Sequence, residues 1–177
     1  PLLSVYDSSE HDLVKELFIP LLSESQLYQR GVGFFTSGWL RSAARGITNL
    51  AARNGKAYLV TSPILEPQDW EAILNGELAK NNDYLLAILR RHVHSLEQSL
   101  EENTRAALAW MIADGLLEIR FAIPKHRKGD FHDKFAVFVD EEGNRVAIHG
   151  SYNDSIQGSL NGESFSVFRS WIPGQRE

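Results

Sequence analysis

Phe131-His132-Asp133-Lys134-Phe135-Ala136-Val137-Phe138-Val139 alternates apolar and polar side chains at the two-residue period of a β-strand. On that period His132 and Lys134 project from one face, while Phe131, Asp133 and Phe135 point the other way. A strand over residues 132–140 is predicted, with an imidazole beside a fixed positive charge. Such a pair suits phosphoryl chemistry, in which a neutral imidazole attacks phosphorus and a cation offsets the charge growing on the equatorial oxygens. Glu141-Glu142-Gly143-Asn144 reads as a hairpin turn. The chain then returns through a strand over 146–150, and a last strand is expected over 165–171.

Toward the N-terminus the pattern becomes helical. Leu13, Val14, Leu17, Phe18 and Leu21 recur at helical spacing over residues 12–22. Residues 26–35 read as a strand closing on Gly31 and Gly33. Thr36-Ser37-Gly38 then opens a helix over 39–53 that stops at Asn54-Gly55. Ala57, Tyr58, Leu59 and Val60 mark a buried strand over 56–61, and the order strand, helix, strand predicts a right-handed parallel crossover. Helices are expected over 67–78, over 83–100 on a stripe running from Leu85 to Leu100, and over 106–114 with Thr104 as N-cap and Gly115 as stop. A strand over 117–123 follows. The expected class is α/β: a mixed, largely parallel sheet flanked by helices on both faces, in a single domain over 1–177.

Composition narrows the functions. The 177 residues carry a formal charge of -5, which argues against coating nucleic acid through bulk electrostatics but leaves room for a local basic site. Lys125-His126-Arg127-Lys128 supplies one directly before His132, so Lys125, Arg127 and Lys128 are candidate substrate-binding residues. With no cysteine there are no disulfides or thiolate metal sites, which fits a reducing, cytoplasmic setting. No apolar run is long enough for a membrane span, and a membrane partner is not expected. The chain opens on Pro1 and has Met111 as its single methionine, so it is expected to be cut from a longer protein.

Beyond Lys134, Gly150 permits close backbone approach and Ser151 offers a hydroxyl and an N–H. Asn153 adds an amide donor, and Glu163 is placed to hold an imidazole or accept its proton. The set needs no metal and no cofactor. His92 and His94 stand two apart in a helix and point to different sides, so no shared metal site is expected there. His11 and His126 lack partners at zinc spacing.

The order His132-x-Lys134, Gly150-Ser151-x-Asn153, Asn161-x-Glu163 resembles the HKD signature of the phospholipase D superfamily. The resemblance implies His132 as nucleophile, Lys134 and Asn153 as phosphate-binding groups, Ser151 as support and Glu163 as the group that orients the histidine. One signature makes half a site, and single-copy members pair across a two-fold axis, so a homodimer is implied. The sequence departs from the pattern at Val139, where the family's aspartate usually falls; Asp140 comes one residue later. His149 also stands where an apolar residue is common.

A second resemblance covers Arg30-Gly31-Val32-Gly33-Phe34-Phe35-Thr36-Ser37-Gly38-Trp39-Leu40 and Leu59-Val60-Thr61-Ser62-Pro63. These stretches are similar to the phospholipase D-like domains at the front of bacterial superfamily-2 helicases linked to restriction and phage defence. That implies a DNA substrate and a helicase domain in the same parent chain. Read for themselves, the residues suit a buried strand, a glycine turn and a helix start. The leading expectation is a DNA phosphodiesterase. The alternatives are a phospholipid head-group phosphodiesterase and a catalytically degenerate DNA-binding or dimerisation module.

Overall fold

The computed structural model describes residues 2–123, 125, 129–155 and 162–175; His126, Arg127, Lys128 and Asn161 lie outside them. Seven strands form one sheet: β1 (Val5–Asp7), β2 (Ser25–Val32), β3 (Lys56–Thr61), β4 (Leu117–Phe121), β5 (Phe135–Asp140), β6 (Arg145–Gly150) and β7 (Ser164–Arg169). Their spatial order is β1-β7-β6-β5-β2-β3-β4.

The sheet is mixed, as expected, but its balance is the reverse of the expected one. Only β2 with β3 and β3 with β4 run parallel, while the four pairings from β1 through β7, β6 and β5 to β2 are antiparallel. The reason is the short hairpin between β5 and β6, which forces antiparallel pairing, whereas the two parallel steps each have helices to bridge them.

Those helices are α2 (Ser37–Ser42) and α3 (Ala44–Ala52) between β2 and β3, and α4 (Pro67–Ala79), α5 (Asp83–His92), α6 (Leu96–Glu102) and α7 (Thr104–Ala113) between β3 and β4. A π-helical turn, Val14–Phe18, runs into α1 (Ile19–Glu24). Both crossovers step in the same direction across the sheet, so right-handed connection puts both on one side.

Burial agrees. Tyr28, Arg30, Val32, Ala57, Leu59, Ala136, Phe138, Val146, Ile148, Phe165 and Val167 alternate along their strands and are all buried, whereas the intervening Gln29, Tyr58, Phe135, His149 and Phe168 are exposed. Among the described residues the helices therefore cover one face, and the expectation of helices on both is corrected. The core centres on Phe18, whose ring lies 5.3 Å from Trp39, 5.7 Å from Phe165, 5.8 Å from Tyr152 and 6.1 Å from Phe138.

Three expected boundaries move for identifiable reasons. The helix over 39–53 breaks at Ala43, whose backbone leaves the helical region at φ -96°, ψ 9°. The long helix over 83–100 is two, because the Ser95 hydroxyl accepts the Gln98 N–H and starts α6 afresh. Thr104 is the first residue of α7 rather than its cap, and its hydroxyl donates back to the Leu100 carbonyl at 2.6 Å. Strand β1 was not anticipated; it pairs with β7 through Val5, Tyr6 and Asp7.

Candidate active site

The ends of β2, β3, β6 and β1 and the beginnings of β5 and β7 meet at one rim of the sheet. The pairings Gly31 with Phe135, Gly150 with Phe165 and Asp7 with Ser164 fix that meeting. His132, Lys134, Gly150, Ser151, Asn153 and Glu163 all lie along it.

His132 and Lys134 do not sit within a strand, which corrects the opening expectation. Pairing with β2 begins at Phe135, so residues 131–134 leave the ladder and pass beside Gly33. A Cβ at residue 33 would lie 2.8 Å from the Phe131 carbonyl oxygen, 3.2 Å from the His132 Cα and 3.5 Å from the Lys134 Nζ. The missing side chain is what lets the segment approach. Lys134 turns its ammonium back to donate to the His132 carbonyl at 2.6 Å, while the His132 side chain is exposed.

The other members are fastened by backbone bonds. The Gly150 N–H donates to the Lys134 carbonyl at 3.1 Å, which puts the glycine directly beside the lysine. A Cβ on Gly150 would collide with the Ser164 carbonyl, so the glycine allows β7 to come close. The Ser151 N–H donates to the Ser164 carbonyl and the Ser151 hydroxyl accepts the Ser164 N–H, each at 3.2 Å. The Asn153 Oδ1 accepts the Phe34 N–H at 3.0 Å, which leaves its amide NH2 as the group able to donate to a ligand.

Glu163 is held by its backbone: its N–H donates to the Ser8 hydroxyl and its carbonyl accepts the Ser8 N–H, both at 2.8 Å. Strand β6 separates the starts of β5 and β7, and among the described residues Glu163 makes no hydrogen bond to His132. The rim thus gathers Lys134, Gly150, Ser151 and Asn153 with His132 alongside. Of the basic segment only Lys125 is described, as an exposed side chain; Arg127 and Lys128 lie outside the described residues.

No protein-family model and no curated protein matches this chain. Two solved structures of yeast tyrosyl-DNA phosphodiesterase, one of them a mutant, are similar to it. Each has a TM-score of 0.48, at 9% and 8% sequence identity. The matches cover 82% of this chain but 25% and 26% of the yeast chains, so the chain spans about a quarter of their length. That likeness is one of chain path and says nothing about individual residues.

Beneath the rim lies a pair that sequence reasoning missed. Arg30 and Asp154 are both fully buried: the Arg30 Nη2 donates to the Asp154 Oδ1 at 2.7 Å and its Nε to both carboxylate oxygens at 3.0 and 3.2 Å. The same guanidinium donates to the Phe135 carbonyl at 3.0 Å and the Tyr152 carbonyl at 2.7 Å. It lies 5.5 Å from the centre of the Phe18 ring and 5.6 Å from that of Phe165. One side chain therefore ties the start of β5 to the segment carrying Ser151 and Asn153. The Thr36 N–H donates to the Asp154 carbonyl at 2.8 Å and closes the loop after β2 onto the same point.

Burial pushes the Asp154 carboxyl up, and the adjacent Arg30 opposes that rise. Burial also pushes the Tyr28 phenol well above its ordinary value, and the Tyr152 phenol up to about 12, with the Asp154 charge adding to both. Arg30 was legible in principle. It falls between Tyr28 and Val32 on the strand positions that face the core, and a guanidinium there requires a buried acceptor.

Val139, where the family pattern has aspartate, lies in β5, and Asp140 takes up a turn role one residue on. Its Oδ1 accepts the N–H groups of Glu142 at 2.9 Å and Asn144 at 2.8 Å, and its Oδ2 accepts the Asn144 side-chain amide at 2.9 Å. Bonds from Asn144 above all hold the carboxyl below the usual aspartate range. Gly143 takes φ +82° in the same turn, a conformation that suits glycine.

Proposed function

We propose that the chain is a phosphodiesterase of the phospholipase D type that cleaves DNA without a metal, through a phosphohistidine intermediate, two copies forming one composite active site. The observation that carries this reading is the meeting of Lys134, Gly150, Ser151 and Asn153 beside an exposed His132 at a single rim. Lys134 and the Asn153 amide hold the non-bridging phosphate oxygens, and Ser151 supports them. The His132 imidazole attacks phosphorus as the bond to the leaving oxygen breaks, and the partner subunit's His132 gives that oxygen its proton. Water then attacks the phosphohistidine, giving its proton to the partner subunit's His132. A phosphate monoester leaves, the attacking imidazole is neutral again, and the partner subunit's His132 again carries the proton with which it began.

Glu163 orients the histidine in this scheme once substrate brings the two together. Lys125, Arg127 and Lys128 draw the strand to the rim. The resemblance of residues 30–40 and 59–63 to the front domains of restriction-linked helicases supports a place beside a helicase in a defence protein. Among the described residues no helix is long and apolar enough to cross a membrane.

The test is cleavage of labelled DNA in EDTA, with acid-quenched protein assayed for covalent phosphate. Wild-type protein should cut and carry label, and His132→Ala should do neither. Equal cutting by the His132→Ala variant would exclude the mechanism.

A further inference from the structure

The helix-free face of the sheet is polar and half-exposed at its margins but aromatic beside the rim. The residues pointing from it form rows fixed by register. Arg120, Val60, Gly31, Phe135, His149 and Ser166 stand nearest the rim, followed by Glu118, Tyr58, Gln29, Val137, Ala147 and Phe168.

Phe135 is 38% exposed and Tyr58 39%, unusual for large rings in mid-sheet. A groove of about 410 Å³ lies between them, lined by Gln29, Tyr58, Val60, Arg120, Phe135 and Val137 among others. Beside it the Phe135 ring lies over Gly31, where a side chain would collide with the ring. Gln29 contributes an amide with no hydrogen-bond partner among the described residues.

We infer that this groove takes unpaired nucleobases of a single nucleic-acid strand whose phosphate lies at the rim, with Phe135 and Tyr58 as stacking surfaces and Gln29 as the group that reads a base edge. The inference rests on the phosphodiesterase reading of the rim and adds the form of its substrate. Three features favour a nucleic-acid occupant.

The groove is continuous with the candidate site: Phe135 follows Lys134 directly, so a strand held by its phosphate at Lys134 has its next base over Phe135. The spacing suits two bases, because Phe135 and Tyr58 are two strands and one two-residue step apart, about 12 Å between Cα positions. Each ring can then stack its own base at a centroid distance of about 4.5–7 Å. Charge fits as well: in a chain of net charge -5, this face carries Lys56, Arg120 and Arg145, while its acidic residues are Glu118, whose oxygen lies 2.6 Å from the Arg120 guanidinium, and Asp7 at the far edge. A paired duplex hides its base faces in its own stack and cannot use the rings, so the groove selects single strands.

The test uses a short single-stranded DNA with 2-aminopurine at successive positions, its duplex counterpart, and the whole chain. Fluorescence should be quenched on binding at the two positions next to the protected phosphate. Tyr58→Ala and Phe135→Ala should each weaken single-strand binding by about tenfold, in line with stacking on one ring, and leave duplex binding unchanged. Tyr58→Phe, which keeps the ring, should restore it. An abasic residue at either position should cost the wild-type chain as much as the matching alanine and cost that variant nothing further.

Unaltered single-strand affinity in both alanine variants would overturn the inference. So would a shift of their sedimentation from dimer to monomer, which would assign the face to a second copy. Quenching without any cleavage keeps the groove and discards the phosphodiesterase reading; cleavage without quenching does the reverse.

Discussion

Arg30 and Asp154 have both been taken out of water, so each depends on the other for its solvation. Such a pair adds little over an apolar pair of the same shape, but losing one partner strands a buried charge at a cost of about 3–5 kcal/mol. Asp154→Ala should therefore lower the denaturation midpoint sharply. The double variant Arg30→Met with Asp154→Leu should recover part of the loss. Recovery stays incomplete because the Phe135 and Tyr152 carbonyls lose their donors. A double variant no more stable than the worse single one would show that the pair does not act as a unit.

The buried phenols set a limit at high pH. Tyr152 ionises at about 12 in the folded chain against 10.0 when free, and Tyr28 is also raised. The folded form thus holds protons that the unfolded form gives up, so their contribution to stability is whole below pH 10 and is lost as pH rises through about 12. Denaturant midpoints should fall over that window, and the double variant Tyr28→Phe with Tyr152→Phe should fall less. Identical alkaline profiles for the two proteins would refute this.

At the scale of elements, the candidate site depends on how strands end. Gly33 carries this most clearly, because the backbone of residues 131–134 occupies the space its side chain would fill. Gly33→Val should displace that segment, and His132 and Lys134 with it, while β2 has already ended at Val32. DNA cleavage should drop at least a hundredfold with little change in thermal midpoint; an active valine variant would mean that the approach is not needed.

The same region shows where sequence reading stops. The period-two pattern located β5 and β6 and the hairpin between them, because alternation reports which face is buried. It also carried the strand three residues too far, to His132, because departure from the ladder depends on the partner: β2 offers its last pairing to β5 at Gly31. Strand β1 was missed because three residues are too few for a period to register. The open face was missed because alternation says that one side is less buried without saying what covers it. The candidate site residues were legible as an ordered set, since each is a recognisable type at a fixed spacing. The Arg30–Asp154 brace was not, since its partners stand 124 positions apart.

At the scale of the whole molecule, the proposed phosphohistidine route asks a single His132 both to attack phosphorus and to protonate the leaving oxygen, unless a second copy supplies one of the two. One imidazole cannot do both in the same step, since the nitrogen that attacks phosphorus must be unprotonated and the ring's one proton sits on the opposite nitrogen, turned away from the leaving oxygen. Among the described residues, His149 points from the helix-free face beside Phe135 and His11 accompanies Glu16 at 3.0 Å in the loop after β1, and no hydrogen bond ties either to His132.

Two-fold pairing of the rims answers the requirement, since an isologous contact brings the same residue from each copy to the axis. The dependence on composition is then quadratic. If wild-type and His132→Ala chains are mixed, unfolded and refolded together, an active pair needs wild-type histidine from both. Cleavage in an equal mixture should fall to about a quarter of the all-wild-type rate, against about a half if each chain works alone. A linear decline across a titration of mixing ratios would dismiss the composite site while leaving His132 as the nucleophile within one chain. A decline with the square of the wild-type fraction would make pairing a condition of turnover.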